Sequence, residues 1–509
     1  MLILRRNKYL QQQIKMKRVF LICLMVLTGL QLKAQEKKVL NSYISYATFN
    51  VTGENPYQYI ETYITFDRGS LVYVKNADGQ YEAEINITLL LKQGEAIKNF
   101  GKYTVKSPVE IDTANINGFF MDAQRYILPN GTYTLEVTME DVNNKTEKPF
   151  TIEDEVVVDF PDNFCISSIL GLESYAKSEK ESACTKNGYD LIPMIMPYYP
   201  ENMNKLTFYA EIYNAKKQLG EDEKYLLNTY ISTFETNTKV NNFAYAKRMN
   251  AKDTEVIINS MDISGLPSGN YYLVLEARNR NNEVIGLNRF FFQRSNNNYQ
   301  IDPTALESIN TEYVFSGRIK DIDTIREYIR TLYAISSEVE RQYAENLVKT
   351  DDIRTMQQFF YTFWSSRNQI DPEEQWNEYY KQVQRVNASF STSTKKGYRS
   401  DRGIVFLKYG TPDRIVESYN EPGAYPYEIW HYYTLGNQRN KKFVFMTRDI
   451  VTNDFYQIHS DAVGELSNYR WSNEIYFRTY GTYYDYNVDG TVNPNSYGDK
   501  AVDYYNNPR

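Results

Sequence analysis

Apolar and polar residues alternate along much of the chain up to about residue 300. Tyr57 to Phe66 runs Tyr-Gln-Tyr-Ile-Glu-Thr-Tyr-Ile-Thr-Phe, and Ala83 to Leu91 runs Ala-Glu-Ile-Asn-Ile-Thr-Leu-Leu-Leu. Leu206 to Tyr213 and Tyr225 to Phe234 behave likewise, and Phe290-Phe291-Phe292 ends the series. A period of two puts successive side chains on opposite faces, so these segments predict half-buried β-strands. A longer repeat groups them. Leu128-Pro129-Asn130-Gly131-Thr132-Tyr133-Thr134-Leu135 returns 138 residues later as Leu266-Pro267-Ser268-Gly269-Asn270-Tyr271-Tyr272-Leu273, and each copy runs on into a polar turn at Asn143-Asn144-Lys145 or Asn281-Asn282-Glu283. Pro-x-Gly supplies a tight turn and the alternating run after it a strand with one buried face. The spacing predicts two tandem Ig-like β-sandwiches, residues 35–158 and 159–300.

The period then changes to 3.6. Ile322, Ile325, Ile329, Leu332 and Tyr333 mark one helix, and Met356, Phe360, Phe363 and Trp364 a second. A third begins at Asp371, an N-cap followed by Pro372 at the first helical position and Glu374 placed for a capping box. Its apolar face is Trp376, Tyr379, Tyr380, Val383, Val386 and Phe390. Helical spacing of this kind predicts core packing rather than a ligand platform. Residues 301–395 therefore read as a helical connector.

From Gly397 the sequence becomes distinctive. Gly397-Tyr398-Arg399-Ser400-Asp401-Arg402-Gly403 leads into Ile404-Val405-Phe406-Leu407, then Tyr409-Gly410-Thr411-Pro412-Asp413. Tyr427-Glu428-Ile429-Trp430-His431-Tyr432 and Lys442-Phe443-Val444-Phe445-Met446 follow. Ser400 and Asp401 can accept local N–H groups and turn the chain into a strand at Ile404, which the Gly410 turn ends. With the two aromatic segments this predicts a small antiparallel sheet against the preceding helices, an α+β domain over 396–465.

This segment resembles the GWxTD domain of Bacteroidota proteins. Phe363-Trp364-Ser365-Ser366-Arg367, Tyr379-Tyr380, Ser167 to Leu172 and Leu206 to Asn214 resemble the same family, so the likeness extends over roughly residues 160–460. Tyr398 and Ser400 stand where the name-giving motif has Trp and Thr, which keeps an aromatic and a hydroxyl but leaves no indole at 398. The resemblance marks as motif positions Gly397, Tyr398, Ser400, Asp401, Arg402, Gly403, Tyr409, Gly410, Pro412, Asp413, Tyr427, Glu428 and Trp430. It implies a cell-envelope protein without an established activity. The order of elements is also similar to that of small outer-membrane assembly lipoproteins, which is an analogy of fold only.

Charge changes the picture at the N-terminus. Residues 1–34 hold seven Lys or Arg and no acid, an apolar run from Val19 to Leu30, and Leu32-Lys33-Ala34 before Gln35. That is the pattern of a secretory signal peptide, with Met16 as the natural start, and its apolar run is too short to cross a bilayer. Removing it lowers Lys+Arg from 57 to 50 against 64 acids, and a net charge near −14 repels nucleic acid. No later segment reads as transmembrane. Cys165 and Cys184 remain, and an oxidising compartment permits a disulfide between them; two unpaired thiols are the alternative.

His431 and His459 are the only histidines. A hydrolytic triad of Ser400, Asp401 and His431 can be drawn, but there is no Gly-x-Ser-x-Gly elbow and His431 lies in a strand-like run. No spacing suggests zinc, and Asp485 to Ser496 has only the first half of a calcium loop, so no catalytic, cofactor or metal residue is assigned. Residues 466–509 read as a solvated tail rich in Tyr, Asn and Asp. The expectation is an exported, non-catalytic binding or scaffold protein of the periplasm or outer membrane with envelope protein partners, the alternative being a periplasmic hydrolase acting on envelope material.

Overall fold

Each copy of the Leu-Pro-x-Gly repeat folds as the entry to a hairpin. Leu128 and Leu266 are wholly buried, and the tyrosine after each glycine donates its hydroxyl back to the proline carbonyl, Tyr133 to Pro129 at 2.8 Å and Tyr271 to Pro267 at 3.1 Å. This is the tyrosine-corner arrangement of Ig-like sandwiches, made twice. Gly131–Asp141 then pairs antiparallel with Phe150–Val158, and Gly269–Arg278 with Val284–Arg294. The computed structural model describes residues 38–480 and 500–507, except 114, 146–148, 181, 183, 235–236, 297–308, 369, 437 and 450 and the side chains of 241 and 477–480. The expected signal peptide and calcium-loop fragment lie outside the described residues.

In the first sandwich one sheet orders Ser42–Val51, Tyr57–Asp67 and Phe119–Ile127. The other orders Ala96–Lys106, Glu84–Gln93, Gly131–Asp141 and Phe150–Val158. The alternation in Glu84–Gln93 buries Ile85, Ile87, Leu89 and Leu91 against Ile60, Ile64 and Phe66 of the facing sheet. The second sandwich repeats the plan. Lys205–Tyr213 pairs on one side with Thr254–Asp262 and on the other with Cys165–Ile166 and Leu170–Lys177, while Lys224–Thr233 sits between Lys239–Asn250 and Gly269–Arg278.

The two sandwiches share a junction. Ala47, Phe49 and Tyr63 of the first pack on Leu170, Leu172, Leu191 and Tyr209 of the second. In its middle Lys186 reaches Glu61 at 3.2 Å, Glu211 at 3.5 Å and the Tyr59 hydroxyl at 2.6 Å, with its ammonium 3.0 Å from the Phe49 ring centre. Burial pulls its pKa down against the two carboxylates. Cys165 and Cys184 are both free thiols, so the allowed disulfide is not made. The topology explains it: Cys165 pairs with Tyr213 at one end of the sheet, whereas Cys184 precedes Thr185, which pairs with Asp190 opposite Ala176 beyond the other end. A bond needs Cα atoms within about 7 Å.

Helices fill the connector. Ile322–Thr331, Glu338–Leu347, Ile353–Ser365 and Pro372–Phe390 pack around Ile325, Ile329, Phe360, Trp364 and Trp376. The Asp371 carboxylate accepts from Glu374 N at 2.9 Å, while the full reciprocal capping box forms earlier, at Ser337 and Glu340.

Two expectations fail beyond this point. The run at Ile404 is not a strand but part of the helix Asp401–Tyr409, and the sheet begins one element later, at Arg414–Ser418. Ser400 caps that helix and Gly410, at φ +84°, stops it. Nor is 466–509 simply a solvated tail. The helices Trp471–Tyr480 and Ala501–Asn506 bury Trp471, Ile475, Tyr476 and Ala501 against the sheet; Trp471 and Ile475, four residues apart, lie on one side of the first helix. Glu421 fixes them, accepting from the hydroxyls of Tyr476 at 2.6 Å and Tyr427 at 2.5 Å and from Lys500 N at 2.8 Å. Among the described residues no helix is long and apolar enough to cross a membrane.

Candidate functional site

The segment Gly397 to Gly403 lies in a three-way contact between the helix Pro372–Phe390, the helix Asp401–Tyr409 and the C-terminal sheet. Gly397 and Gly403 are there for closeness. A Cβ on Gly397 would come within 2.2 Å of Val386 O, and one on Gly403 within 2.0 Å of Gly397 O. Tyr398 is buried, with its N–H donating to Asn387 Oδ1 at 3.1 Å. The Ser400 hydroxyl donates to Gly397 O at 2.7 Å and accepts from Gly403 N at 3.1 Å, an N-cap that also closes the turn before it. Asp401 sits in the first helical turn, where a negative charge favours the dipole, and accepts from Gln457 N at 2.8 Å across to the last strand.

Arg402 carries the contact into the sheet. Its guanidinium donates to Glu428 at 2.6 Å and to Asn453 O at 3.0 Å, and lies 4.2 Å from the Phe455 ring centre. Glu428 also accepts from Trp430 Nε1 at 2.9 Å and the Tyr419 hydroxyl at 2.8 Å. Both ionic side chains are at most 5% exposed, so the pair is held by geometry and by extra donors on the carboxylate rather than by water. The remaining motif residues close the far end. The Tyr409 hydroxyl donates to Glu465 at 2.6 Å, the Tyr432 hydroxyl to Gly410 O at 2.9 Å, and Tyr433 N to Asp413 at 2.7 Å; Pro412 is buried between them in sequence.

The sheet separates the residues of the drawn triad. Successive side chains of the strand Tyr427–Leu435 point to opposite faces. Trp430 and Tyr432 pack with Val405 on the face covered by the capped helix, whereas Tyr427 and Ile429 pack with Trp471 and Ile475 on the other. His431 belongs by parity to that second face, away from Ser400 and Arg402, and its Nε2 is 2.6 Å from Asn440 Oδ1. His459, opposite Val444, lies on the second face too. Its Nδ1 accepts from Asn468 N at 2.9 Å, which leaves Nε2 to donate to the Tyr505 hydroxyl at 3.0 Å. Burial, then the nearby Lys442, pushes its pKa down to about 3. Ser400, Asp401 and His431 do not converge. Burial also pushes the Cys165 thiol up to about 11 and raises Cys184, which keeps both as poor nucleophiles. Among the described residues no group of three or more His, Cys, Asp or Glu could hold a metal ion.

A cleft opens where the second sandwich faces the helices and the last domain. It has a volume of about 1190 Å³, with Phe234, Tyr272 and Arg289 on the sandwich side and Trp364, Gln375, Tyr379 and Lys381 on the helical side. Lys408 and Leu435 of the last domain complete it. Lys408 also lines an adjoining hollow of about 610 Å³, with Arg294, Arg341 and Asp401. Arg367 is paired with Glu340 at 2.8 Å and Lys408 with Glu465 at 2.6 Å. Sequence reasoning missed this site because its walls come from segments far apart in the chain; the one local signal was Phe363-Trp364-Ser365-Ser366-Arg367, which supplies two of its residues.

Tandem Ig-like sandwiches followed by a helical connector and a small α+β domain define a multi-module β-rich protein. Residues 291–475 match the family model of the GWxTD domain. That part of the chain carries a GWxTD domain; the match begins at the last strand of the second sandwich, so the likeness noted upstream, from about residue 160, is not part of it. No curated protein matches the chain. Among solved structures, a glycosyl hydrolase family 2 member from Bacteroides cellulosilyticus DSM 14838 is 11% identical with a TM-score of 0.19 over 46% of this chain, which spans only 28% of that protein. The fibronectin(III)-like modules of Clostridium thermocellum CbhA are 8% identical with a TM-score of 0.14, over 48% of this chain and 89% of theirs. A DUF3823 family protein from Bacteroides ovatus ATCC 8483 is 14% identical with a TM-score of 0.16, over 43% of this chain and 94% of its own. Scores this low carry no argument about activity.

Proposed function

We propose that the chain is an exported, non-catalytic binding or scaffold protein of the bacterial cell envelope, associated with outer-membrane assembly or secretion machinery. The observation that carries this reading is the use made of the GWxTD motif: Gly397 and Gly403 let a helix pair close, the Ser400 hydroxyl caps the turn between them, and Arg402 joins that helix to Glu428 of the sheet. A catalytic site needs a nucleophile, base or metal aimed at a common point, and His431 and His459 lie on the sheet face opposite Ser400 and Arg402 and are bonded to Asn440 and Tyr505. The basic and apolar pattern of residues 1–34 supports export. The test is affinity purification of the full chain from detergent-solubilised envelopes. A reproducible envelope protein partner is expected; recovery of none, with the protein instead retained unprocessed in the cytosol, contradicts the reading.

A further inference from the structure

We propose that the crevice between the second sandwich and the C-terminal half binds an extended, acidic polypeptide segment of a partner protein. The inference rests on the binding-protein reading above and adds where the partner sits and what chemistry it presents.

Size points away from a small metabolite. Cavities for drug-sized ligands span about 300–1,000 Å³, and here a cleft of about 1190 Å³ adjoins a hollow of about 610 Å³ at Lys408, along a junction of three modules. Charge points to an anion. The two spaces are lined by six basic and four acidic side chains, whereas the whole chain has 57 basic and 64 acidic residues. Three of those cations have no carboxylate within ion-pair distance among the described residues. Arg289 donates to Asn237 Oδ1 at 3.1 Å and lies over the Tyr272 ring, and Lys381 is exposed on its helix. Arg294 is the most telling. It is 3% exposed, donates to the carbonyls of Pro200 at 2.7 Å and Met203 at 2.8 Å, and its Nε has no partner. A buried cation held only by neutral oxygens is favoured by an anion brought alongside.

The walls favour a peptide over an acidic sugar chain. Sugar recognition uses an open aromatic face, and these rings are already packed. Trp364 lies against Trp376 and Tyr379 with centroids 5.7 and 5.4 Å apart, and Tyr272 against Phe234 and Phe291 at 5.3 and 6.2 Å. What the wall lacks is hydrogen-bond partners: Trp364 Nε1 and Gln375 Oε1 have none. A peptide group carries one acceptor and one donor, the complements of these two atoms.

The test is selection of random peptides of about twelve residues on the purified full chain, followed by fluorescence anisotropy with the enriched sequences. Selected peptides are expected to be rich in Asp and Glu. Their affinity is expected to fall about tenfold for Lys381→Glu, further for Lys381→Glu with Arg289→Glu, and steeply with added salt. Lys381 is exposed, so its variant tests the site even where the double variant unfolds. No enrichment, enrichment of neutral or basic sequences, or acidic peptides indifferent to Lys381→Glu would overturn the proposal. So would binding of oligogalacturonate in the same variant-sensitive way while no peptide binds. An envelope partner that still co-purifies with Lys381→Glu would sink this site and leave the binding-protein reading standing.

Discussion

At Gly403 an added Cβ would lie 2.0 Å from the carbonyl oxygen of Gly397 and 2.8 Å from Val386 Cγ1, and the nearer obstacle is backbone, which cannot rotate away. Gly403→Ala is expected to cost about 1–3 kcal/mol or more, read from the urea midpoint of unfolding. The neighbouring ion pair makes a sharper case. Arg402→Met alone strands the Glu428 carboxylate in a buried site and is expected to cost about 3–5 kcal/mol. Adding Glu428→Leu recovers only part, because Trp430 Nε1 and the Tyr419 hydroxyl then lose their acceptor. A double variant no better than the single one would show that the pair is not coupled. His459 supplies a pH signature. Its pKa is about 3 when folded against 6.5 as a free side chain, so the unfolded chain binds the extra proton first. Its contribution is complete above about pH 6.5 and is lost as pH falls toward 3. His459→Asn is expected to flatten stability across that window, measured by chemical denaturation at each pH.

Among elements, the capped helix is the instructive one. Ile404-Val405-Phe406-Leu407 is a short apolar run, and such runs read equally as strand or helix. Ser400 before it and Gly410 after it are an N-cap and a C-terminal stop, and the same two residues serve equally as turn formers, so the helical signal is ambiguous in sequence. The sandwiches were far more legible. Alternation set their strand faces, and the repeated Leu-Pro-x-Gly turn set their number, because one buried face per strand imposes a period of two. The C-terminal helices were hidden for the opposite reason: Trp471, Ile475 and Tyr476 are too few apolar residues to stand out among Tyr, Asn and Asp, yet they suffice once a sheet offers a face. Of the site, the motif residues were visible as a cluster in sequence, but their division between the two sides of a sheet was not. The crevice was invisible, since Arg289 and Lys381 come to line one cleft, and Arg294 the hollow beside it, only after three modules meet.

For the molecule as a whole, the last domain returns to both sandwiches. Arg470 donates to Leu40 O at 3.2 Å and lies over Phe150, Lys441 approaches Asp154 at 3.7 Å, and Gly464 packs near Phe291. The modules therefore pack on one another rather than standing as beads on a string, and the proposed peptide crevice lies between them. Lys186 sits in the middle of the junction of the sandwiches, where Arg125 also pairs with Glu61 at 2.6 Å. Lys186→Met leaves Glu61 and Glu211 facing across a buried interface, and is expected to split thermal unfolding into two transitions in calorimetry; a single unchanged transition would remove Lys186 from this role.

The decisive measurement is Ser400→Ala, which removes the hydroxyl a hydrolase would need and the cap a scaffold would need. Stability is expected to fall by about 1 kcal/mol, with recovery of envelope partner per folded molecule unchanged. Full stability together with lost partner recovery, or with lost turnover of envelope material, would contradict the assignment of the GWxTD segment to packing.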